Sequence, residues 1–570
     1  MNIHQLTIKN IRSFGEPVPI TFESGLNIFI GPNAGGKSNL LDILNVVLNN
    51  FFVKNWRIFE EYTTSNTLRR RYFQEENIFN PAELLDRHAK KLNEDQEISI
   101  SFIAEKGDIL NIRNILSSAE KLKEFEKDKF ESTLLQDRFL INCDPSLLDK
   151  LEGKEVIFQI KNWVLDITNL NGEDPKIVST ILHYLNTFEF LQLLIAEFNS
   201  ENEEKISGLY PPFCYFSPYR IPQIQALVAR VAEVDFYQLK AIYKRSNSRE
   251  VSTILELATH YFARKLRTYH EDFSKFNNDE EVKLVKNYVV ILGYKDFSFK
   301  EIDRYRNRYQ LVITKMNGEE MDLTRASSGE KEILNLLLGV FALNIKNGIV
   351  MIDEPELHLH PKWQAILLDL FYKFSEERGI QWLIVTHSPN FVNPKSIKSI
   401  LRVLRDENGY SRVIKPLAFT ETEQDLVMMA NLTHSTKIFF ADKVILVEGI
   451  VDRIIYSAVL ERIQAENNSQ KIIEILDIQQ LGGCQKNQAF LNKWAMKSFI
   501  VADKDKQSIP NLSNAFFVQN GEIENYFQSV VQKTKYDTDD AIKIAKKILD
   551  KSIAVPLEIK GYFQQVISNN

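Results

Sequence analysis

Cysteine is scarce in this chain: Cys143, Cys214 and Cys484 are all there are, and they are scattered without metal-ligand spacing. They build neither a zinc site nor a disulfide framework, which predicts a reducing compartment. A bulk charge of one sign is also missing. The formal net charge is -6 with 26% charged residues, so nothing in the total favours a polyanion. Any nucleic-acid surface therefore has to be a local cluster of Lys and Arg. No apolar run approaches the roughly 20 residues of a membrane span. Met1-Asn2-Ile3-His4 opens no charged-then-apolar secretion signal. The expected location is the cytoplasm, with no membrane partner. There is no internal repeat and no long low-complexity linker. At 570 residues the chain exceeds a single core, and about two to four domains are expected.

Against this plain background two motifs stand out. The first is Gly31-Pro32-Asn33-Ala34-Gly35-Gly36-Lys37-Ser38, a complete Gly-x-x-x-x-Gly-Lys-Ser. It follows a buried-type strand, Leu26-Asn27-Ile28-Phe29-Ile30, and precedes helical spacing from Asn39 to Leu48. Strand, loop and helix form the context a phosphate-binding loop requires. The glycines let backbone N–H groups close around phosphate oxygens, and the helix N-terminus adds positive potential. Lys37 is expected on the β/γ phosphates and Ser38 on Mg²⁺. Gly31, Asn33, Gly36 and Asn39 complete the expected nucleotide contacts. Downstream, Ile349-Val350-Met351-Ile352-Asp353-Glu354 puts two acids at a strand end. Asp353 suits the Mg²⁺ shell, and Glu354 suits orientation or deprotonation of the attacking water. His387, after the strand Trp382–Val385, is placed to sense the γ-phosphate.

These features resemble the ABC-type ATPases, the class that includes repair ATPases and chromosome-structure proteins. Ala326-Ser327-Ser328-Gly329-Glu330 sits where the class has its signature, Leu-Ser-Gly-Gly-Gln. Ser327 and Gly329 are retained, whereas Ala326, Ser328 and Glu330 depart from the pattern. Glu356-Leu357-His358-Leu359-His360-Pro361 resembles the segment after the Asp-Glu pair in non-transporter members. In that class the signature of one subunit caps ATP on its partner, which implies a homodimer or higher homo-oligomer. Gln223 and Gln225 are weak candidates for a Mg²⁺-sensing glutamine.

The second motif is acidic. Val444-Ile445-Leu446-Val447 leads into Glu448-Gly449, and Asp452 lies one helical turn later. Phe499-Ile500-Val501-Ala502 leads into Asp503-Lys504-Asp505. Alternation predicts that both aspartates project in one direction. Carboxylates converging at strand ends need a cation, and hard oxygens suit Mg²⁺ or Mn²⁺. Two such ions activate water and stabilise the leaving oxygen of a phosphodiester. Glu524 reads either as a fifth ligand or as a solvated helix position.

Glu-Gly, then Gly482-Gly483, then Asp-x-Asp resembles the TOPRIM domain of topoisomerases, primases and several nucleases. An ABC-type ATPase followed by TOPRIM is similar to the overcoming-lysogenisation-defect (OLD) nucleases, above all from Phe439 to Gly449. The resemblance implies an α/β fold: an ABC-type ATPase domain with a helical insertion, then a Rossmann-like TOPRIM domain. It implies ATP and Mg²⁺ as cofactors, DNA as substrate, and metal-dependent cutting or nicking by Glu448, Asp503 and Asp505, with Asp452 and Glu524 in support. It also implies an assisting lysine, Lys560 with Lys535 as the alternative. Family members act in antiphage defence, sometimes with a second defence protein or a retron reverse transcriptase and its DNA. The expected organisation is 1–50 and 209–420 for the ATPase, 51–208 for a mostly helical insertion that serves structure or self-association, 421–437 for a connector, 438–530 for TOPRIM and 531–570 for a helical tail. A second function stays open, an ATP-driven DNA-binding sensor resembling repair ATPases whose acidic domain is not catalytic.

Overall fold

The computed structural model describes residues 1–62, 68–75, 80–166, 174–216, 228–230, 254–303, 308–322, 325–416, 420, 427, 430, 436–478, 483–508, 513–533 and 535–568. Gln223, Gln225, Gly482 and most of the 421–437 connector lie outside the described residues. The chain divides into two compact units. One holds residues 1–28 and 38–386, the other residues 29–37 and 387–570.

In the first unit, β1 (Asn2–Lys9), β2 (Val18–Thr21) and β3 (Leu26–Ile30) open the chain, β3 ending in the second unit. A hairpin follows, β4 (Trp56–Tyr62) with β5 (Leu68–Gln74). Next come β6 (Glu97–Ile103), β7 (Glu155–Lys161) and β8 (Val164–Asp166). The order β2-β1-β6-β7-β8 makes one antiparallel sheet, with Leu6 opposite Ile100 and Ile100 opposite Phe158. Among its described residues the segment 51–208 holds more helix than strand, but three of its strands, β6, β7 and β8, extend the sheet that begins at residue 2, so the segment is built into that sheet. Glu-Ile-Ser-Ile-Ser-Phe-Ile alternates as a strand does, but densely charged neighbours hide it in the sequence. Phe52, fully buried, packs edge-on against Phe102 and Phe158 at 4.9 and 5.0 Å and joins the segment to that sheet.

The strands β9 (Phe213–Phe216), β10 (Val228–Arg230), β11 (Tyr294–Asp303), β12 (Arg308–Lys315) and β13 (Glu320–Asp322) follow. Then come β14 (Ile349–Asp353) and β15 (Gln381–Val385). The run β15-β14-β9 is parallel, Asp353 standing opposite Val385. Ile349 to Ile352 and all of β15 are buried, as parallel strands covered on both faces must be. Residues 254–268 form a helix.

In the second unit, β16 (Ile400–Arg405) and β17 (Ser411–Ile414) form the hairpin that Asn408-Gly409 predicts, with Gly409 at φ 83°. The remaining strands, β18 (Lys443–Val447), β19 (Ile473–Asp477), β20 (Lys497–Asp503) and β21 (Ala515–Val518), make an all-parallel sheet in the order β19-β18-β20-β21. The helix α1 (Ile450–Glu466) leaves the end of β18. Two helices from the expected tail, α2 (Thr538–Leu549) and α3 (Leu557–Ser568), are built into this core. Ala541, Ile544 and Ile548 line the buried stripe of α2, and Phe563 of α3 stacks on Tyr456 at 5.7 Å. Truncating a fully buried Phe costs about 3–5 kcal/mol. Residues 538–549 and 557–568 therefore complete the core of the acidic domain.

Candidate functional site

The phosphate loop has the backbone its glycines predict. Gly31 sits at φ 136° and Gly36 at φ 113°, where a side chain is strained. Contact is equally restrictive: a Cβ on Gly31 or Gly35 would stand 2.1 or 2.6 Å from the Val403 carbonyl oxygen. Lys37 is 4% exposed and donates to the carbonyls of Gly31 and Pro32, both at 2.9 Å. Its ammonium is thus folded onto its own loop. Asn39, at the next turn, donates to Ser13 Oγ at 2.9 Å and accepts from Arg12 at 3.3 Å.

In the first unit Asp353 ends β14. Glu354 follows at φ 48°, its N–H donating to the Val385 carbonyl at 2.9 Å. A left-handed, non-glycine residue at this position is strained backbone held by the β15 strand end. His387 is exposed. The segment expected to act as the signature forms a capping box. Ser327 caps the helix Ser328–Ala342, and Glu330 returns its carboxylate to the Ser327 N–H at 2.7 Å while accepting from Tyr294 at 2.8 Å. Gly329 is held to glycine by the His358 carbonyl, 2.8 Å from where a Cβ would stand.

The acidic site gathers at the carboxyl ends of β18 and β20, the edge of a parallel sheet where ligands bind. Glu448 follows the buried run of β18, half-buried, and its Oε2 is shielded from water without a hydrogen-bond partner. Asp452 sits in the first turn of α1 and accepts the Gly449 N–H at 3.1 Å. Burial pushes its carboxyl up to about 7 against that hydrogen bond, helped by Glu524, Glu448 and Glu522. Burial likewise lifts Asp503 to about 7, joined by Asp452, Glu448, Glu522 and Glu524. Glu448, Glu522 and Glu524 therefore add their charge to Asp452 and Asp503. Among the described residues no three His, Cys, Asp or Glu side chains stand together as a finished ion cage. Mutual repulsion is the physical reason for spacing like charges. The donor set still fits a divalent cation: hard oxygens, two acids reluctant to ionise, and one buried oxygen lacking a partner.

Two expectations need correction. Asp505 does not project alongside Asp503. The strand ends at Asp503, Lys504 to Ser508 turn as a 3₁₀ helix, and the Lys504 N–H donates to the Gly521 carbonyl at 3.0 Å. Alternation stops where the strand stops, leaving Asp505 exposed and paired with Lys506 at 3.2 Å. Lys560 does not join the acids either. It bonds Glu466 at 2.7 Å, at the far end of α1, about 21 Å from Asp452 at roughly 1.5 Å per residue. Lys560→Ala is expected to leave cleavage unchanged, because an exposed pair of this kind contributes ~0–1 kcal/mol. A plasmid-cleavage time course checks it, and loss of activity with an intact fold would restore Lys560 to the site. Lys535 is exposed.

Sequence reading missed two groups. Glu522 stands immediately before the short 3₁₀ turn Ile523–Tyr526 and adds its charge to Asp452 and Asp503. Its signal was the acid-x-acid spacing Glu522-Ile523-Glu524. Lys506 lies in the field of Glu448 and Asp503 besides its bond to Asp505, and these acids hold its ammonium above the usual lysine range.

The raised acids predict a pH signature. The folded protein binds these protons more tightly than the unfolded chain, so stability is lost as pH rises from the ordinary carboxylate range through about 7. In chelator, the double variant Asp452→Asn/Asp503→Asn should match wild type near pH 4. It should melt about 4 °C higher near pH 8. Scanning fluorimetry across that range measures it. A gap that does not grow with pH contradicts the clustering.

The chain matches the family model described as "AAA ATPase domain" over residues 1–392. It matches "Overcoming lysogenization defect protein-like, TOPRIM domain" over residues 439–505. It is 22% identical over 323 residues to the Old nuclease of Escherichia phage P2, covering 54% of each chain. It is 28% identical over 176 residues to the retron Ec83 probable ATPase of Escherichia coli, covering 28% of this chain and 30% of that one. The chain thus spans about half the length of the first relative and less than a third of the second. Among solved structures, the SMC head domain from Thermotoga maritima aligns at TM-score 0.32 and 13% identity, over 73% of this chain and 99% of that one. Among the described residues no helix is long and apolar enough to cross a membrane. The chain belongs to the AAA ATPase domain family and, with the TOPRIM domain that follows, is an ATPase–TOPRIM fusion of the overcoming-lysogenisation-defect family.

Proposed function

We propose that this chain is a nucleotide-gated, divalent-metal-dependent DNA endonuclease or nickase acting in bacterial antiphage defence. The observation that carries the reading is the coupled acidic edge of Glu448, Asp452 and Asp503, with one buried oxygen of Glu448 lacking a partner. Glu448 and Asp503 would hold Mg²⁺ or Mn²⁺ directly, with Asp452, Glu522 and Glu524 holding the field around them, while Asp505, exposed and paired with Lys506, stays outside this set. A bound divalent ion supplies positive charge for the phosphoryl oxygens and lowers the pKa of water. Lys506 sets a cation beside the acids, where the phosphodiester backbone brings negative charge.

The nucleotide roles follow the motifs. Lys37 meets the β/γ phosphates, with Gly31, Asn33, Gly36 and Asn39 shaping the loop. Ser38 and Asp353 serve Mg²⁺, Glu354 the attacking water and His387 the γ-phosphate. Ser327 and Gly329 cap the nucleotide of a second copy, so the working form is a homodimer or larger homo-oligomer. Likeness to a retron ATPase supports a setting with a reverse transcriptase and its DNA, or another defence protein.

The test is purified protein with supercoiled plasmid in Mg²⁺ or Mn²⁺, with and without ATP. Nicked or linear product that chelator abolishes supports the reading. DNA binding without cleavage in every nucleotide state, and with the candidate partners added, would instead establish an ATP-driven sensor.

A further inference from the structure

Arg402 is a charged side chain at 1% exposure. It lies on β16, and its guanidinium donates to four backbone carbonyls. Nη2 bonds Ala441 at 2.7 Å and Nε bonds Phe439 at 3.2 Å. Nη1 bonds Trp494 at 3.0 Å and Ala495 at 3.2 Å. The first two acceptors belong to the turn that enters β18 (Lys443–Val447), the last two to the turn that enters β20 (Lys497–Asp503). These neighbouring parallel strands carry Glu448 and Asp503 at their opposite ends. One planar cation therefore holds the starts of both strands whose ends present the acids. Burying a charge is costly, and an apolar side chain fills such space more cheaply. A rigid fork of five donors sets distance and angle as an apolar side chain does not.

The next residue along β16 faces the phosphate loop. The Val403 carbonyl oxygen abuts Gly31 and Gly35, where even one added methyl would collide. Across the hairpin, Ser411 Oγ donates to the Gly35 carbonyl at 2.6 Å. Lys37 holds the carbonyls of Gly31 and Pro32. A phosphate arriving in the loop competes for that ammonium, and the loop has no side-chain cushion between its backbone and β16.

We propose that Arg402 is a positioning residue that ties the phosphate loop to the two acid-bearing strands, so that nucleotide in the loop sets the spacing of Glu448 and Asp503 and with it their affinity for a divalent ion. The proposal rests on the metal reading above. The test titrates Mn²⁺ into the full chain by electron paramagnetic resonance, with and without a non-hydrolysable ATP analogue, counting only the binding that Asp503→Asn removes. In wild type the analogue should shift that affinity about fivefold or more. Arg402→Lys should abolish the shift and, in the Asp503→Asn background where the coupled ion is not bound, leave affinity for the analogue unchanged. A purely structural role would lower the melting temperature and spare the shift. A shift retained in Arg402→Lys, or none in wild type, overturns the proposal while leaving metal binding standing. No Asp503-dependent Mn²⁺ binding in wild type overturns the metal reading and this proposal together. Should the variant fail to fold, hydrogen exchange on wild type decides: the analogue should change protection in 443–447 and 497–503, and unchanged protection in both refutes the link.

Discussion

Asp503→Asn should lower plasmid cleavage in Mg²⁺ or Mn²⁺ by about 10³-fold or more, since a divalent ion contributes several kcal/mol of charge stabilisation at a phosphoryl centre. The substitution is nearly isosteric, so the strand end and the fold should survive. Apo stability near pH 8 should rise, because a half-buried carboxylate repelled by Asp452, Glu448, Glu522 and Glu524 is gone. That opposite movement of activity and stability separates a binding site from a structural ion pair, whose loss lowers both. Cleavage gels and melting curves on one preparation provide the comparison. Persistent cleavage by Asp503→Asn would show that the cluster at β18 and β20 is not where strands are cut.

Lys37→Ala should weaken ATP binding by about 100-fold or more, on the scale of two charge-assisted hydrogen bonds at ~1.5–3 kcal/mol each. The ammonium is 4% exposed and already bonded to two loop carbonyls. Its removal also takes away the ammonium that holds the Gly31 and Pro32 carbonyls, so the variant should lose the thermal shift that ATP gives wild type. Fluorescent-nucleotide titration and melting with ATP measure both effects. Unaltered ATP affinity would mean that Gly31–Ser38 is a structural turn. The effect of ATP on cleavage should vanish with its binding, which leaves the metal-only rate of the TOPRIM domain to be read directly.

Legibility in the sequence followed range. The phosphate loop was readable because its constraint is local: φ beyond +100° at Gly31 and Gly36 demands glycine, whatever surrounds it. The strand leading to Glu448 was readable because four consecutive β-branched or leucine residues fit a strand buried on both faces. Asp505 misled because period-two alternation holds only inside a strand, and the backbone turns at Lys504. Lys560 misled because a lysine on an amphipathic helix carries no sign of its partner, here Glu466. The strands Glu97–Ile103 and Glu155–Lys161 were hidden because their alternation is short and their partners are far away in sequence, β1 for the first and the first for the second.

The amino-acid sequence alone determined which chemistries the chain carries: glycines, a lysine and a serine for a nucleotide, and carboxylates at strand ends for a divalent ion. Residue type and near-neighbour spacing suffice for that, since backbone freedom and hard-oxygen donors are properties of the residues themselves. Only tertiary structure decided which acids feel one another, that Glu522 and Lys506 stand among them, and that Arg402 holds the base of both strands. Electrostatic and hydrogen-bond energies depend on distance in space, and the chain sets that distance only when its sheet closes.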